Sequence, residues 1–242
     1  MAVVLVTGSG RGIGFGIASA FAAEGHTVVL NGRGDKARLA AAVDELKDRY
    51  GGNVMGICAD LSEYTAAQDM FDQISRAYGH VDILVNNAGA AHFGLFSDMQ
   101  PSEISRVLAD NLQTTINASY LAVPHMVRAR AGCIINITSV WGVVGASCEV
   151  VYSAAKAGVI GFTKALAKEV GPSGVRVNAI ACGAFDTRMN DRLTSEEKAA
   201  FVDGVPLGRF GDPREVGELA VFLASAKAGY LTGQIINLDG GL

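Results

Sequence analysis

Four cysteines in 242 residues, Cys58, Cys133, Cys148 and Cys182, form no CxxC pair. Their scatter argues against a disulfide framework or a thiolate zinc site and for cytosolic thiols. Lys and Arg number only 20 against 24 Asp and Glu, a formal net charge of −4. A chain so short of positive charge has no obvious surface for nucleic acid or an anionic membrane. No apolar run approaches the ~18–20 residues that a membrane span needs. The opening "MAVVLVTGSG" lacks a basic n-region and a long h-region, so it reads as a buried strand rather than a signal peptide, and a cytoplasmic protein is expected. The four histidines, His26, His80, His92 and His125, make no HExxH, and there is no GxSxG elbow and no GK[ST]. Hydrolase, metalloenzyme and ATPase readings therefore lack support, and no metal site is expected. No proline- or serine-rich linker, repeat or charge block divides the chain, so residues 1–242 read as one domain.

What is present is hydrophobic and alternating. Half the residues are apolar, ample for a substantial core. "AVVLVT", "TVVLN", "NVMGIC", "DILVNN", "GCIINIT", "VRVNAI" and "QIINL" are seven candidate strands. Between most of them apolar residues recur at three- and four-residue intervals, as in Ile17 to Ala23 and Ala66 to Ile74. Strands this apolar are buried on both faces, which predicts a doubly wound, Rossmann-type α/β fold: a seven-stranded parallel sheet with helices on each side. A cofactor half over about 1–135 and a catalytic half over about 136–242 are expected. The least regular stretch, Gly183 to Gly211, reads as a mobile lid with a short helix.

Three motifs carry chemistry. The first strand runs into "TGSGRGIG", Thr7 to Gly14, and then a helical pattern. Glycines in such a turn let backbone approach a phosphate, which the helix N-terminus attracts. The second strand ends at Asn31, Gly32 and Arg33, where an NAD-type fold usually keeps a carboxylate for the ribose 2′-hydroxyl. Arg33, together with Arg11, could instead pair with a 2′-phosphate, although both could be solvated surface arginines. The third motif is Tyr152 and Lys156 in "VVYSAAKAG", one helical turn apart on one face. They could be a lysine stem covering a tyrosine ring, or an acid–base pair in which the ammonium lowers a phenol pKa ordinarily near ~10.

In order along the chain, TGxxxGxG, "NNAG" (Asn86 to Gly89), Ser139 closing "IINITS" and YxxxK resemble the short-chain dehydrogenase/reductase family. The resemblance implies an NADP-dependent oxidoreductase. Asn111, Ser139, Tyr152 and Lys156 would be its catalytic tetrad: Tyr152 the general acid, Ser139 the carbonyl's hydrogen-bond partner, Lys156 the group that lowers the Tyr152 pKa and holds the nicotinamide ribose, and Asn111 the holder of a relay water. NADPH/NADP+ would lie on Gly8, Ser9, Arg11, Gly12, Ile13, Gly14, Asn31 and Arg33. Asp60 and Leu61 would meet adenine, and Asn87, Ala88 and Gly89 the adenosine side, with bracing of the sheet as the alternative for "NNAG". Gly183, Phe185 and Thr187 would close over the nicotinamide; Cys182 stands where the family usually has proline, which leaves the rigidity of that turn open. Within the family the chain resembles 3-oxoacyl-acyl-carrier-protein reductases through "GFTKALAKEVGPSGVRVNAI" and "PLGRFGDPREVGELAVFLAS". It also resembles reductases of the 5-aminopentanone group on elongation factor P through "SVWGVVGASCEVVYSAAK" and "ACGAFDTRMN". Trp141 and Glu149 would line the substrate entrance, Glu149 meeting a substrate amine; otherwise Trp141 is packing and Glu149 a solvated loop charge. The partner would be a small or carrier-bound ketone, on acyl carrier protein or elongation factor P, and the oligomer a homotetramer or homodimer. A nucleotide sensor that kept the fold without turnover is the reading from a different class.

Overall fold

A computed structural model describes residues 1–187 and 194–242. Seven strands form one parallel sheet in the order β3-β2-β1-β4-β5-β6-β7. They are β1 (Val3–Val6), β2 (Thr27–Gly32), β3 (Val54–Cys58), β4 (Ile83–Asn86), β5 (Gly132–Ser139), β6 (Val175–Cys182) and β7 (Ile235–Leu238). Each of the seven apolar runs read from the sequence is one of them. The helices between are α1 (Gly12–Ala23), α2 (Lys36–Tyr50), α3 (Tyr64–Tyr78), α4 (Pro101–Leu108), α5 (Thr114–Ala129), α6 (Val140–Val144), α7 (Val150–Val170), α8 (Ser195–Asp203) and α9 (Pro213–Ala224).

The period-two geometry of a strand explains why these runs are apolar throughout. In β1, Val4 and Val6 point to one face, where they pack with Ile17 and Phe21 of α1, Leu39 and Leu46 of α2 and Leu223 of α9. Leu5 between them points to the other face, among Met70 and Ile74 of α3, Ala122 and Met126 of α5 and Val170 of α7. Both faces are covered, so polar alternation would have left buried polar groups without partners. Close approach of α1 to α9 rests on small residues. A Cβ on Gly16 would lie 2.6 Å from the Pro213 carbonyl oxygen, and one on Gly217 only 2.7 Å from the Gly16 oxygen.

The strand order reverses between β1 and β4, whose ends diverge to opposite crossovers. In open α/β sheets that switch point is where a crevice opens at the carboxyl ends of the strands. One further local feature bears on it. Between α4 and α5 the backbone widens into a π-turn, Ala109–Gln113, a distortion that helices tend to keep where function needs it.

Candidate active site

A cleft of about 1130 Å³ runs across the C-terminal ends of the strands. One end is floored by the glycine turn, Gly8 to Gly14; the other is walled by Ser139, Trp141, Glu149, Tyr152 and Lys156. A second cavity, about 280 Å³, lies at the opposite, N-terminal ends of β4, β5 and β6 by Asp82, Arg130 and Arg176. It is far smaller and touches none of the motif residues, so the chemistry belongs to the large cleft.

The glycine turn is built from inside. Thr7 Oγ1 accepts the backbone N–H groups of Asn87 and Ala88, both at 2.9 Å. Asn87 Nδ2 donates to the Thr7 and Gly8 carbonyls, also at 2.9 Å. "NNAG" thus braces the turn, while Asn86 Nδ2 donates to Asn136 of β5 and Ser119 of α5. Gly8 adopts φ +62°, and a Cβ there would lie 2.8 Å from the Ala88 Cα, so only glycine fits. The α1 N-terminus carries no side-chain cap, and Arg11, Gly12, Ile13 and Gly14 line the cleft. Uncapped helix amides beside an arginine and a backbone stripped of side chains fit the pyrophosphate of a dinucleotide.

Three expected cofactor contacts turn out to face inward. Ser9 is fully buried, its hydroxyl donating to the Val6 carbonyl at 2.7 Å and accepting the Asn31 N–H at 3.1 Å. Asn31 is buried with its side chain spent on Gly8, Ile57 and Ala59. Leu61 belongs to the core beneath β3. Ser9 and Asn31 brace the glycine turn and Leu61 packs in the core, and none of the three lines the cleft. Asp60, next to Leu61, is partly exposed and accepts from Ser62 N–H and Oγ, and it also pairs with Arg33 at 3.4 Å. Arg33 is not a free surface cation: it forms a two-pronged pair with Asp110 at 2.6 and 3.2 Å.

At the other end the tetrad converges. Asn111 sits in the π-turn, wholly buried. Its Nδ2 donates to the Ala90 and Val107 carbonyls at 2.8 and 2.9 Å, and its Oδ1 accepts the Ala90 N–H at 3.2 Å. The widened turn is what leaves the Val107 carbonyl for a side chain to take. Gly89 lies against it, where a Cβ would be 2.5 Å from Asn111 Oδ1. Ser139 closes β5 and caps α6, its Oγ accepting the Trp141 N–H at 3.2 Å. Tyr152 and Lys156 share a face of α7, with Nζ 5.7 Å from the phenol ring centre and donating to the Ile137 carbonyl at 3.0 Å.

Burial governs the electrostatics here. It pushes the Tyr152 phenol above its ordinary pKa, with Glu149 and Cys182 adding to the rise and a hydrogen bond with Ser139 opposing it. Lys156, expected to lower this pKa, does not bring the phenol below its ordinary value here. Desolvation of the phenolate outweighs an ammonium that is itself pushed down to about 8 by burial. Cys182, buried against Lys156, is pushed up to about 12, again by burial first, and is inert as a thiol nucleophile.

The closing segment is anchored at its base. β6 continues through Cys182, paired with Leu238, and the Gly183 N–H donates to the Leu238 carbonyl at 2.9 Å. Where proline was expected to stiffen the turn, the sheet itself holds it. Phe185 bridges to Gly211, with Asp186 N–H on the Gly211 carbonyl and Gly211 N–H on the Ala184 carbonyl. Thr187 packs on the glycine turn, its Cγ2 3.6 Å from where a Gly12 Cβ would be. Residues 188–193 of the expected lid lie outside the described residues. Among the described residues no cluster of His, Cys, Asp and Glu could hold a metal ion, and no helix is long and apolar enough to cross a membrane.

A seven-stranded parallel sheet with this glycine turn and a Ser-Tyr-Lys site defines a nicotinamide-dependent oxidoreductase, and the chain belongs to the short-chain dehydrogenase/reductase family. A family described as Enoyl-(Acyl carrier protein) reductase matches residues 8–242. The chain is 42% identical over 238 residues to the 3-oxoacyl-[acyl-carrier-protein] reductase FabG of Chlamydia muridarum, covering 98% of this chain and 96% of that one. It superimposes on a 3-oxoacyl-[acyl-carrier protein] reductase from Brucella melitensis with a TM-score of 0.94 at 36% identity, covering 100% and 91% of the two chains. A putative gluconate dehydrogenase from Agrobacterium tumefaciens aligns with a TM-score of 0.95 at 32% identity, covering 99% and 95%. Relatives named for such different substrates share this backbone, so the substrate must be argued from side chains.

Proposed function

We propose that the protein is an NADPH-dependent ketoreductase that converts a carrier-bound 3-oxoacyl thioester to the 3-hydroxy form. The observation that carries this reading is the meeting of Ser139 and Tyr152 in the wall of the large cleft, one helical turn from a buried Lys156. NADPH, when bound, would supply the hydride for the ketone carbon. The chain supplies the rest. Tyr152, kept protonated by burial well above neutral pH, delivers the proton to the ketone oxygen as negative charge develops there. Ser139 Oγ, already accepting the Trp141 N–H, is oriented to donate to that same oxygen. Lys156, still charged at neutral pH with a pKa near 8, places a positive charge beneath the phenol as it gives up its proton. Asn111 pins the Gly89–Ala90 backbone and offers the route by which Lys156 and solvent reprotonate Tyr152. The first-turn amides of α1 and Arg11 would hold the pyrophosphate, and Arg33 the 2′-phosphate. Asp60 with Asn87, Ala88 and Gly89 would flank the adenosine side, and Gly183, Phe185 and Thr187 would close the nicotinamide side. Residues about 1–135 would thus hold most of the cofactor, and residues about 136–242 would carry the catalytic and substrate side and close over the nicotinamide. Four free thiols fit a cytoplasmic enzyme. The exposed Tyr64, Leu108 and Tyr120 around α3 to α5 suit a homodimer or homotetramer.

One observation favours a second substrate. Glu149 lines the cleft and its charge reaches Tyr152, a placement suited to a substrate ammonium such as that of 5-aminopentanone on elongation factor P. NADPH consumption by the purified enzyme, with an acetoacetyl thioester of acyl carrier protein and with aminopentanone-modified elongation factor P, separates the readings. Faster turnover of the thioester is expected; preference for the modified factor would replace it. Binding of NADPH without turnover of either would make the protein a sensor.

A further inference from the structure

Arg33 lies in a closed ring of four charges. Its Nη1 and Nη2 grip Asp110, and Nη1 also reaches Asp60. Arg106 takes the same two carboxylates from the other side, with Nε on Asp110 Oδ2 at 3.0 Å and Nη2 on Asp110 Oδ1 at 2.9 Å and on Asp60 Oδ2 at 3.2 Å. Two cations alternate with two anions, so the ring is neutral. It ties the ends of β2 and β3 to α4 and the π-turn, at the rim beside the glycine turn. The Asp110 side chain is 9% exposed and the two arginine side chains 45% and 47%. Arg33 keeps Nε–H and one Nη2 hydrogen outside the ring, a second donor edge turned away from Asp110.

We infer that Asp110 and Arg106 set the selectivity of Arg33 for a phosphate on the adenosine ribose, although neither lines the cleft. Asp110 and Asp60 hold the guanidinium in one orientation while cancelling most of its field; Arg106 offsets those carboxylates. A 2′-phosphate arriving at the outer edge of Arg33 therefore meets a neutral ring rather than a bare cation. Removing one member changes the field that phosphate meets by a whole unit of charge, with a sign set by the member removed. A hydroxyl at the same place, carrying no charge, hardly registers the change. Asp110 and Arg106 are in this sense positioning and specificity-determining residues.

This inference rests on the proposed use of a 2′-phosphorylated cofactor, and its test keeps the two apart. Adenosine 2′,5′-bisphosphate and adenosine 5′-monophosphate are titrated calorimetrically into wild type, Asp110→Asn and Arg106→Gln. Asparagine removes the charge and keeps one acceptor oxygen for the arginines, while its amide NH2 faces guanidinium donors at the other oxygen's place. Asp110→Asn should widen the preference for the bisphosphate by about three- to tenfold, and Arg106→Gln should narrow it by a similar factor. Both changes should shrink at 0.5 M salt. A merely structural role would weaken both ligands together and move both ratios the same way. Unchanged ratios, or a narrowed ratio in Asp110→Asn, overturn the inference. If Asp110→Asn does not fold, the half-exposed Arg106→Gln decides alone. A wild type with no preference between the ligands overturns the 2′-phosphate reading itself.

Discussion

The inner end of the cleft and the ring of charges beside its glycine-turn end handle charge in opposite ways. At the inner end Asn111, Lys156, Ser139 and Tyr152 are 0%, 4%, 7% and 9% exposed, and among the described residues the Lys156 ammonium has no carboxylate bonded to it. At the outer end, beside the cleft and outside its lining, Arg33 and Arg106 are nearly half exposed and each meets two carboxylates. Protonation at the inner end is set by withdrawal from water, which raises Tyr152 and lowers Lys156. Affinity at the outer end is set by pairing, which solvent and salt weaken. In the proposed reading, chemistry and selection are governed by different physics and joined through adjacent residues, since Asp110 of the ring precedes Asn111.

The strongest way to break this comparison is to delete the one hydroxyl that the inner end keeps protonated. Tyr152→Phe should lower kcat by about 10²–10⁴-fold, the range general acid catalysis spans. NADPH affinity should stay within a few-fold, because the outer end is untouched. Stopped-flow turnover with fluorescence titration of the cofactor checks both. Turnover near wild type would assign the acid to another group.

Why the sheet was legible and parts of the site were not follows from where information sits in a chain. Runs such as "GCIINITS" are apolar at every position because both faces of β5 are covered, and Tyr152 and Lys156 share a helix face by spacing alone. Ser9, Asn31 and Leu61 show the limit: whether a residue at a strand end faces the cleft or the core depends on the neighbouring loop, here Ala59 and the glycine turn. The Arg33–Asp110 pair spans 77 positions and left no local trace. Half of the ring did leave one, since Arg106 and Asp110 are an i,i+4 pair. The π-turn at Asn111 has no composition signal, and the rise in the Tyr152 pKa needed its burial to be known.

The desolvation argument sharpens into a stability measurement. Lys156 has a folded-state pKa of about 8 against an ordinary 10.5. Between those values the unfolded chain holds the proton that the folded protein has lost, so stability rises with pH across that window. Below about pH 8 the full penalty stands, on the order of 3 kcal/mol; above 10.5 it is gone. Lys156→Met also frees the Ile137 carbonyl, an offset that does not change with pH. Urea unfolding of both proteins at pH 7 and pH 10 should therefore show wild type gaining most of ~3 kcal/mol on the variant. Parallel pH dependences would mean that the ammonium is not desolvated.

The smallest expected effect is at the outer end, and it tests selection directly. Charge-assisted hydrogen bonds contribute about 1.5–3 kcal/mol when formed, roughly ten- to a hundredfold in Kd. Arg33 is half exposed and already paired, so the lower end of that range applies. Arg33→Ala should weaken NADPH about tenfold and NADH little. Gly32→Asp is the complementary change. Its Cβ would meet only Leu39 side-chain atoms, at 3.7 Å or beyond, so the backbone accommodates it. The new carboxylate would accept a bond from a free 2′-hydroxyl and repel a 2′-phosphate, moving preference toward NADH. Calorimetric titration of both cofactors into the three proteins gives the answer. Equal losses of NADPH and NADH in Arg33→Ala would show that this arginine braces the rim through Asp110 without reading the ribose, and selection would then have to come from Arg11.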